Sequence, residues 1–533
     1  MKPVILYDTT LRDGTQGENI SFTASEKIKI AQRLDDLGVG YIEGGWPGSN
    51  PRDMQFFDLA KKIKFKHAKL TAFGSTRRAK TLPEDDLNLK ALIDSETPVV
   101  AIVGKTWDLH VVDVMSNTLK ENLAMITDSA LFLKQKQREV IFDAEHFFNG
   151  YKDNKEYALK CLGAAMKGGA DTLVLCDTNG GTLPFEIEMI VKQVNDHLHK
   201  TLQGKRFELG IHAHNDCGMA VANSIAAVRA GTRMVHGTIN GYGERCGNAD
   251  FTTIIPVLCL KMDCWCVSEA NLKKIKSISR FVSETANMTP LNSRPFVGKS
   301  AFAHKGGIHV SAIMKLHRAY EHIEPERVGN TRRVLMSDLS GKSNVEYKAK
   351  ELGIEYQLSA AESKKIVSKI KNLEQDGYQF EVADCSLKIL MEKLTDRFQP
   401  MFDLESFMVT IIKEKERPCS SQASIKISVG GEEKITVAEG NGPVSALDNA
   451  LRKALNKFYP DELKTTHLVD FKVRVIDGRD GTGAKVRLII ETRDENSIWS
   501  SIGVSEDIIE ASWQAIADSL QYKLSQKKDE PNG

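Results

Sequence analysis

The sequence predicts an α/β protein with a TIM (β/α)8 barrel, then a helical linker subdomain, then a C-terminal α+β regulatory domain of two β-β-β-α repeats. Three observations carry this. From Val4 to about residue 262, short apolar runs alternate with longer segments of helical period, eight times over. Polar and charged residues crowd the carboxyl ends of most of those runs, where a barrel of this kind keeps its site. Past residue 400 the pattern changes to three strand-like runs and a helix, which then recur.

Taken in order, the expected barrel strands are Val4–Leu11, Tyr41–Gly45, Lys69–Ser75, Val99–Gly104, Val140–Phe147, Thr172–Thr178, Leu209–His214 and Met234–Asn240. The clearest helices between them are Ala24–Leu37, Lys120–Lys136, Lys155–Lys167, Phe185–Leu198 and Ala220–Ala230. An open doubly wound sheet would want a glycine-rich phosphate turn after its first strand, and DTTLRDGTQ (Asp8–Gln16) is not one. The expected domains are 1–269 for the barrel, 270–398 for linker subdomains, 399–525 for the C-terminal domain and 526–533 for a disordered tail. In the C-terminal domain the strands are Phe407–Ile412, Ala423–Val429 and Lys434–Ala438, then Leu468–Ile476, Ala484–Glu491 and Ser497–Ser501. Both helices are expected to pack on a shared sheet. Gly442 and Gly503 are each placed just before a helix, with Pro443 in the first turn of one and Ser505 capping the other.

Composition narrows the functional classes. A chain of 533 residues with 41% apolar and 27% charged residues is globular and large enough for two or three domains. A net charge of +1 gives no electrostatic case for nucleic acid or an anionic membrane as partner. The nine cysteines are scattered and odd in number, which points to reduced thiols and a cytoplasmic location. No signal-peptide pattern or membrane-spanning apolar run is present.

The strand ends carry the chemistry. Arg12 and Asp13 follow the first strand, and Glu43 with Gly44, Gly45 and Trp46 the second. Asp143, Glu145 and His146 end the fifth, Asp177, Thr178 and Asn179 the sixth, and His212 and His214 the seventh. The eighth leads to Asn240, Glu244, Arg245 and Asn248. Alternation on a strand turns both imidazoles of IHAHND to one side, where they can share a metal with Asp13. His146, on the other strand face from Glu145, reads as structural. The C-terminal repeats carry no matching cluster of acids, histidines or nucleophiles, so binding or dimerisation is expected there rather than catalysis.

With DTTLRDGTQ, HAHND and NGYGERCGNA in view, the chain resembles the acetyl-CoA-dependent 2-oxoacid synthases of the DRE-TIM metallolyase superfamily, which include 2-isopropylmalate, homocitrate and citramalate synthases. The stretches EGGWPGSNPRD (Glu43–Asp53) and VDFKVRVIDGRDGTGAKVRLIIE most resemble the citramalate synthase branch. The resemblance implies a metal-assisted Claisen condensation of pyruvate with acetyl-CoA, followed by thioester hydrolysis. It assigns Asp13, His212, His214 and Asn248 to a divalent ion, whether Mn2+, Co2+, Zn2+ or Mg2+. It assigns Arg12, Glu145, His309 and Tyr320 to catalysis, and Arg12, Gln16, Glu43 and Thr178 to the substrate, with Glu43 acting from behind by orienting Arg12 or a metal-bound water. Either Glu145 or His309 is left to take the methyl proton. A homodimer is implied, with the linker patch KSAFAHKGGIHVSA reaching a partner's site, and isoleucine as feedback inhibitor.

The acceptor follows from what the pocket lacks. Homocitrate synthases place an arginine four residues before the glutamate, for a distal carboxylate; here that position is Ile141. Trp46 is expected to wall the pocket and keep it small. Pyruvate is therefore favoured over 2-oxoisovalerate, whose use would make the chain a 2-isopropylmalate synthase. A lyase of the same superfamily would need neither the linker histidine nor the C-terminal repeats.

Overall fold

The computed structural model describes residues 2–201, 207–476, 481 and 483–526. Eight parallel strands close into a barrel: β1 (Ile5–Asp8), β2 (Tyr41–Gly45), β3 (Lys69–Ser75), β4 (Val99–Lys105), β5 (Glu139–Glu145), β6 (Thr172–Asp177), β7 (Glu208–Ala213) and β8 (Met234–Gly237). β1 closes the barrel by pairing with both β2 and β8. Tyr7, Phe73, Ala101, Ile141, Val174, Cys176 and Met234, all on barrel strands, form one buried apolar cluster. A larger apolar layer joins the outer strand faces to the surrounding helices. The chain divides into two compact units, one running to Phe302 with Ile323–Thr331 added, the other comprising Ala303–His322 and everything from Arg332.

Local chemistry sets the helix starts. The first helix, Ala24–Leu37, begins at a capping box in which the Thr23 hydroxyl accepts from the Glu26 amide and the Glu26 carboxylate accepts from the Thr23 amide. It ends at Gly38, whose φ of 95° is the left-handed closure that glycine adopts without strain. Strand ends fall earlier than their apolar runs suggest. β1 stops at Asp8, because its carboxylate accepts from the Thr10 amide and bends the chain into a turn. β5 stops at Glu145, because His146 takes a left-handed φ of 57° and starts the helix Phe147–Asp153. His146 therefore sits on a helix cap rather than on the opposite strand face. Asn240 also lies beyond its strand, in the short turn Ile239–Gly241.

The second unit holds the linker helices and the C-terminal domain. Lys342–Glu351, Ala360–Gln375 and Asp384–Leu394 pack around a core that includes Val345, Ile366, Ile370, Leu387 and Met391. The C-terminal domain is made of β9 (Asp403–Ile412), β10 (Ser420–Val429), β11 (Glu432–Gly440) and the helix Pro443–Leu455, then β12 (His467–Val475), β13 (Val486–Arg493), β14 (Ile498–Ser505) and the helix Ile508–Ser525. The two copies do not share a sheet; each forms its own antiparallel three-stranded sheet, and one apolar core takes side chains from both. The expected tail lies outside the described residues from 527 on, as does part of the VIDGRDGTG stretch.

Two local expectations about this domain are corrected. Gly442 does precede its helix, but Gly503 lies inside β14. The cap of the second helix is Asp507, whose carboxylate accepts from the Ile509 and Glu510 amides, while Ser505 accepts from Asp507. Gly503 is there for contact: a Cβ would lie 1.9 Å from the carbonyl oxygen of Ala511. Helix and strand meet backbone to backbone, a constraint that sequence pattern does not display. Gly503→Val is expected to destabilise the C-terminal domain by about 1–3 kcal/mol through overpacking. Thermal or denaturant unfolding followed at Trp499 and Trp513 tests it, and an unchanged midpoint would contradict the packing.

Candidate active site

The site begins with a buried carboxylate. Glu43, on β2, is fully enclosed and accepts hydrogen bonds from Tyr7 Oη, from Thr9 Oγ1 at 2.6 Å and from Arg12 Nε at 2.5 Å. Arg12 lies in the turn after β1, its guanidinium 3.8 Å above the Phe73 ring and 3.7 Å from Asp13 Oδ2. Burial lowers the basicity of Arg12, but Glu43 and Asp13 outweigh it, so the cation is held more firmly than a free guanidinium.

The two glycines that follow Glu43 let Phe56 and Asp53 close against the strand end. β2 carries an irregularity in register between Glu43 and Gly45. Gly45 has φ of 151°, and a Cβ there would fall 2.4 Å from the Asp53 carboxyl carbon. Asp53 in turn pairs with the buried Lys27 at 2.6 Å and accepts from the Trp46 amide at 2.8 Å. Trp46 is thereby fixed, its indole N–H donating to Asn88 and its ring edge-on to Phe73.

Asp13, His212 and His214 offer one ligand atom each, all within 4.8 Å of one another. The two Nε2 atoms are 3.1 Å apart and lie 3.3 and 3.8 Å from Asp13 Oδ2. Burial raises the Asp13 carboxyl, yet Arg12 and His212 more than reverse this, leaving it far below the usual carboxylate range. Burial, reinforced by His212, lowers His214 to about 3, so its ring is neutral. A carboxylate and neutral imidazoles are the forms that bind metal. Asn248 forms a backbone bridge with His214, and its buried Oδ1 has no hydrogen-bond partner among the described residues while its Nδ2 donates to Tyr242 O. An unpaired amide oxygen on the residue bridged to His214, with the three converging ligand atoms, is a donor set that fits a divalent cation.

These groups open on a cavity of about 670 Å3 lined by Arg12, Asp13, Gln16, Trp46, Glu145, Thr178, His212 and His214, among others. Glu43 and Asn248 are not part of that lining. Thr178 Oγ1 accepts from the His146 amide at 2.9 Å, which leaves its hydroxyl proton to donate elsewhere. His309 and Tyr320 belong to the second unit, where their exposed rings stack at 4.2 Å. The sequence places Asp143 at a loaded strand end without giving it a role, and does not single out Lys105; both line the cavity. Burial, with Glu43 nearby, pushes the Asp143 carboxyl up to about 7. Two-residue periodicity puts Asp143 on the same strand face as Glu145. Ile141, one further step back, is buried in the barrel's interior cluster.

Residues 3–282 match the HMGL-like family, residues 296–378 the homocitrate synthase post-HMGL domain-like family and residues 381–524 the LeuA allosteric (dimerisation) domain. Fold, donor set and match together define an HMGL-like barrel enzyme of the DRE-TIM metallolyase class. Over 531 residues, 99% of each chain, it is 53% identical to an (R)-citramalate synthase of Aquifex aeolicus. It is 51% identical over the same shares to one of Geobacter sulfurreducens, and 33% identical to a 2-isopropylmalate synthase of Buchnera aphidicola over 97% of this chain. The chain belongs to the (R)-citramalate synthase family.

If the three converging groups are ligands, His214→Ala lowers the affinity for Mn2+ by at least about tenfold while the fold survives. Isothermal titration of the chelated protein with Mn2+ measures this directly, and wild-type affinity in the variant would remove His214 from the site.

Proposed function

We infer that this protein is an (R)-citramalate synthase, an acyltransferase that condenses pyruvate with acetyl-CoA and water to give citramalate and CoA. The observation that carries the reading is 44–53% identity to five (R)-citramalate synthases over at least 97% of this chain. Asp13, His212, His214 and Asn248 would hold a divalent ion, Mn2+, Co2+, Zn2+ or Mg2+, which when bound polarises the ketone as a Lewis acid.

The protein's own groups do the rest. Arg12, locked by Glu43, offers its cation to the oxygen on which charge develops during addition. The free hydroxyl proton of Thr178 can donate to the pyruvate carboxylate, and the Gln16 amide supplies a further polar contact in the cavity wall. Glu145 is the acid–base group for the acetyl methyl, directly or by orienting His309. In this reading His309 and Tyr320 enter through the linker, in a homodimer that completes each site. Trp46 limits the pocket to a small 2-oxoacid, and the absence of a cation at Ile141 disfavours a distal carboxylate.

The C-terminal repeats would bind isoleucine as the feedback inhibitor. The match to an allosteric domain supports regulation, and the uncapped N-terminus at Gly442 supports a carboxylate site in one copy. Gly503 offers no such helix end in the second copy, since it sits in a strand.

One assay tests the whole reading: free CoA release followed by a thiol reagent, with pyruvate, 2-oxobutyrate, 2-oxoisovalerate and 2-oxoglutarate offered in turn. Pyruvate should give the highest kcat/KM by tenfold or more, about the discrimination that one or two methylenes allow. Isoleucine, and not leucine, should inhibit. Preference for 2-oxoisovalerate with inhibition by leucine would make the protein a 2-isopropylmalate synthase instead.

A further inference from the structure

The cavity contains a lysine that the reaction as described leaves without a task. Lys105 closes β4 and Glu145 closes β5, and the two are direct partners in the parallel ladder. Both side chains line the cavity, and Lys105 Nζ forms an ion pair with Glu145 Oε2. Each is largely shielded, with side-chain exposures of 28% and 22%.

We propose that Lys105 is a positioning residue for Glu145, holding one carboxylate oxygen so that the other faces the acetyl methyl group. The inference rests on the acid–base role given to Glu145 above. A glutamate has three side-chain torsions, and an untethered carboxylate spreads over several rotamers, few of which place an oxygen for proton transfer. Here the backbone on both sides of the residue is already held. The Glu145 carbonyl accepts from the Thr106 amide at 3.2 Å and the Thr106 hydroxyl at 2.7 Å. On its other side the next amide, of His146, donates to Thr178 Oγ1. The carbonyl of Lys105 is itself held by Asn122 Nδ2 at 2.9 Å. The side chain remains to be placed, and the ion pair with Lys105 holds its carboxylate.

Among the described residues of the cavity wall, Lys105 is the cation in an ion pair with Glu145. Arg12 is committed to Glu43 and Asp13, and Arg77 to Glu121 and Asp128. Pairing through Oε2 alone leaves the second oxygen as the proton acceptor, so the contact orients the base without consuming it.

The test compares acetyl-CoA with its trideuteriomethyl form in the full-length, metal-loaded enzyme carrying Lys105→Met, Lys105→Arg or Glu145→Gln. Lys105→Met should lower kcat by about tenfold or more, with KM for pyruvate within about threefold, because the loss falls on the proton-transfer step. The primary isotope effect should rise, since that step becomes slower than those around it. Lys105→Arg should recover most of kcat and return the isotope effect toward wild type. Should Lys105→Met unfold at the assay temperature, Lys105→Gln is read in its place. A wild-type kcat in the lysine variant overturns the inference, and so does a rise in KM for acetyl-CoA alone with an unmoved isotope effect, which would make Lys105 a binding cation for CoA. If Glu145→Gln is inactive while Lys105→Met is not, only the lysine inference fails. If Glu145→Gln keeps full turnover, the acid–base role of Glu145 fails and the inference falls with it.

Discussion

The site depends on burying one carboxylate with enough donors to keep it there. Glu43 has no solvent, yet three side chains from β1 and its turn, Tyr7, Thr9 and Arg12, converge on its two oxygens. An unpaired carboxylate in such a place would be strongly destabilising, and removing one partner of a buried pair typically costs about 3–5 kcal/mol. The arrangement therefore ties the register of β1 to β2 and fixes where the guanidinium of Arg12 points. Asp13, adjacent in sequence, is placed by the same turn, so Arg12 and Asp13 share a single anchor.

From that anchor the charge pattern of the cavity follows. Arg12 pairs with Glu43 at 2.5 Å and lies 3.7 Å from Asp13, so both acids bear on its cation. Asp13 stays a carboxylate and His214 stays neutral for opposite reasons, a nearby cation in one case and burial in the other. Both results are the ligand forms. Asp143 sits at the edge of this balance, its carboxyl pushed toward neutrality by burial and then by the negative charge of Glu43.

Much of this was legible in the sequence, and the reasons differ by element. The barrel strands and the helices Ala24–Leu37 and Ala220–Ala230 were readable because apolar period and capping chemistry agree. The convergence of Asp13 with His212 and His214 was readable from alternation on one strand and a turn on another. What could not be read were contacts set by tertiary approach. The Lys105–Glu145 pair needs the ladder register of β4 with β5, which no local pattern reveals. Gly503 looked like a turn glycine and is a packing glycine, because the atom it makes way for is eight residues on in another element. The shared sheet failed for a related reason: repeated grammar shows that two units exist, not which edges pair.

The backbone departs from regular geometry where the site is assembled, and each departure aims a side chain. His146, Asn240 and Arg245 all hold left-handed φ values of 55–65°, costly for residues that carry a Cβ. The turn at His146 ends β5 one residue after Glu145 and frees the amide that Thr178 accepts. The turn at Asn240 is pinned by its side chain, whose Nδ2 donates to Ser279 O at 2.9 Å and whose Oδ1 accepts from the Ser279 hydroxyl at 2.5 Å. It begins the return that sets Asn248 beside His214. At Arg245 the guanidinium grips Asp216 at 2.7 Å and the Thr178 carbonyl at 2.7 Å, tying the loop after β8 to those after β6 and β7. Strain at these positions is compensated by specific side-chain bonds, and the compensated loops are the ones that carry Glu145, Thr178, His214 and Asn248. A barrel with relaxed strand ends would keep its fold and lose the convergence on which the chemistry depends.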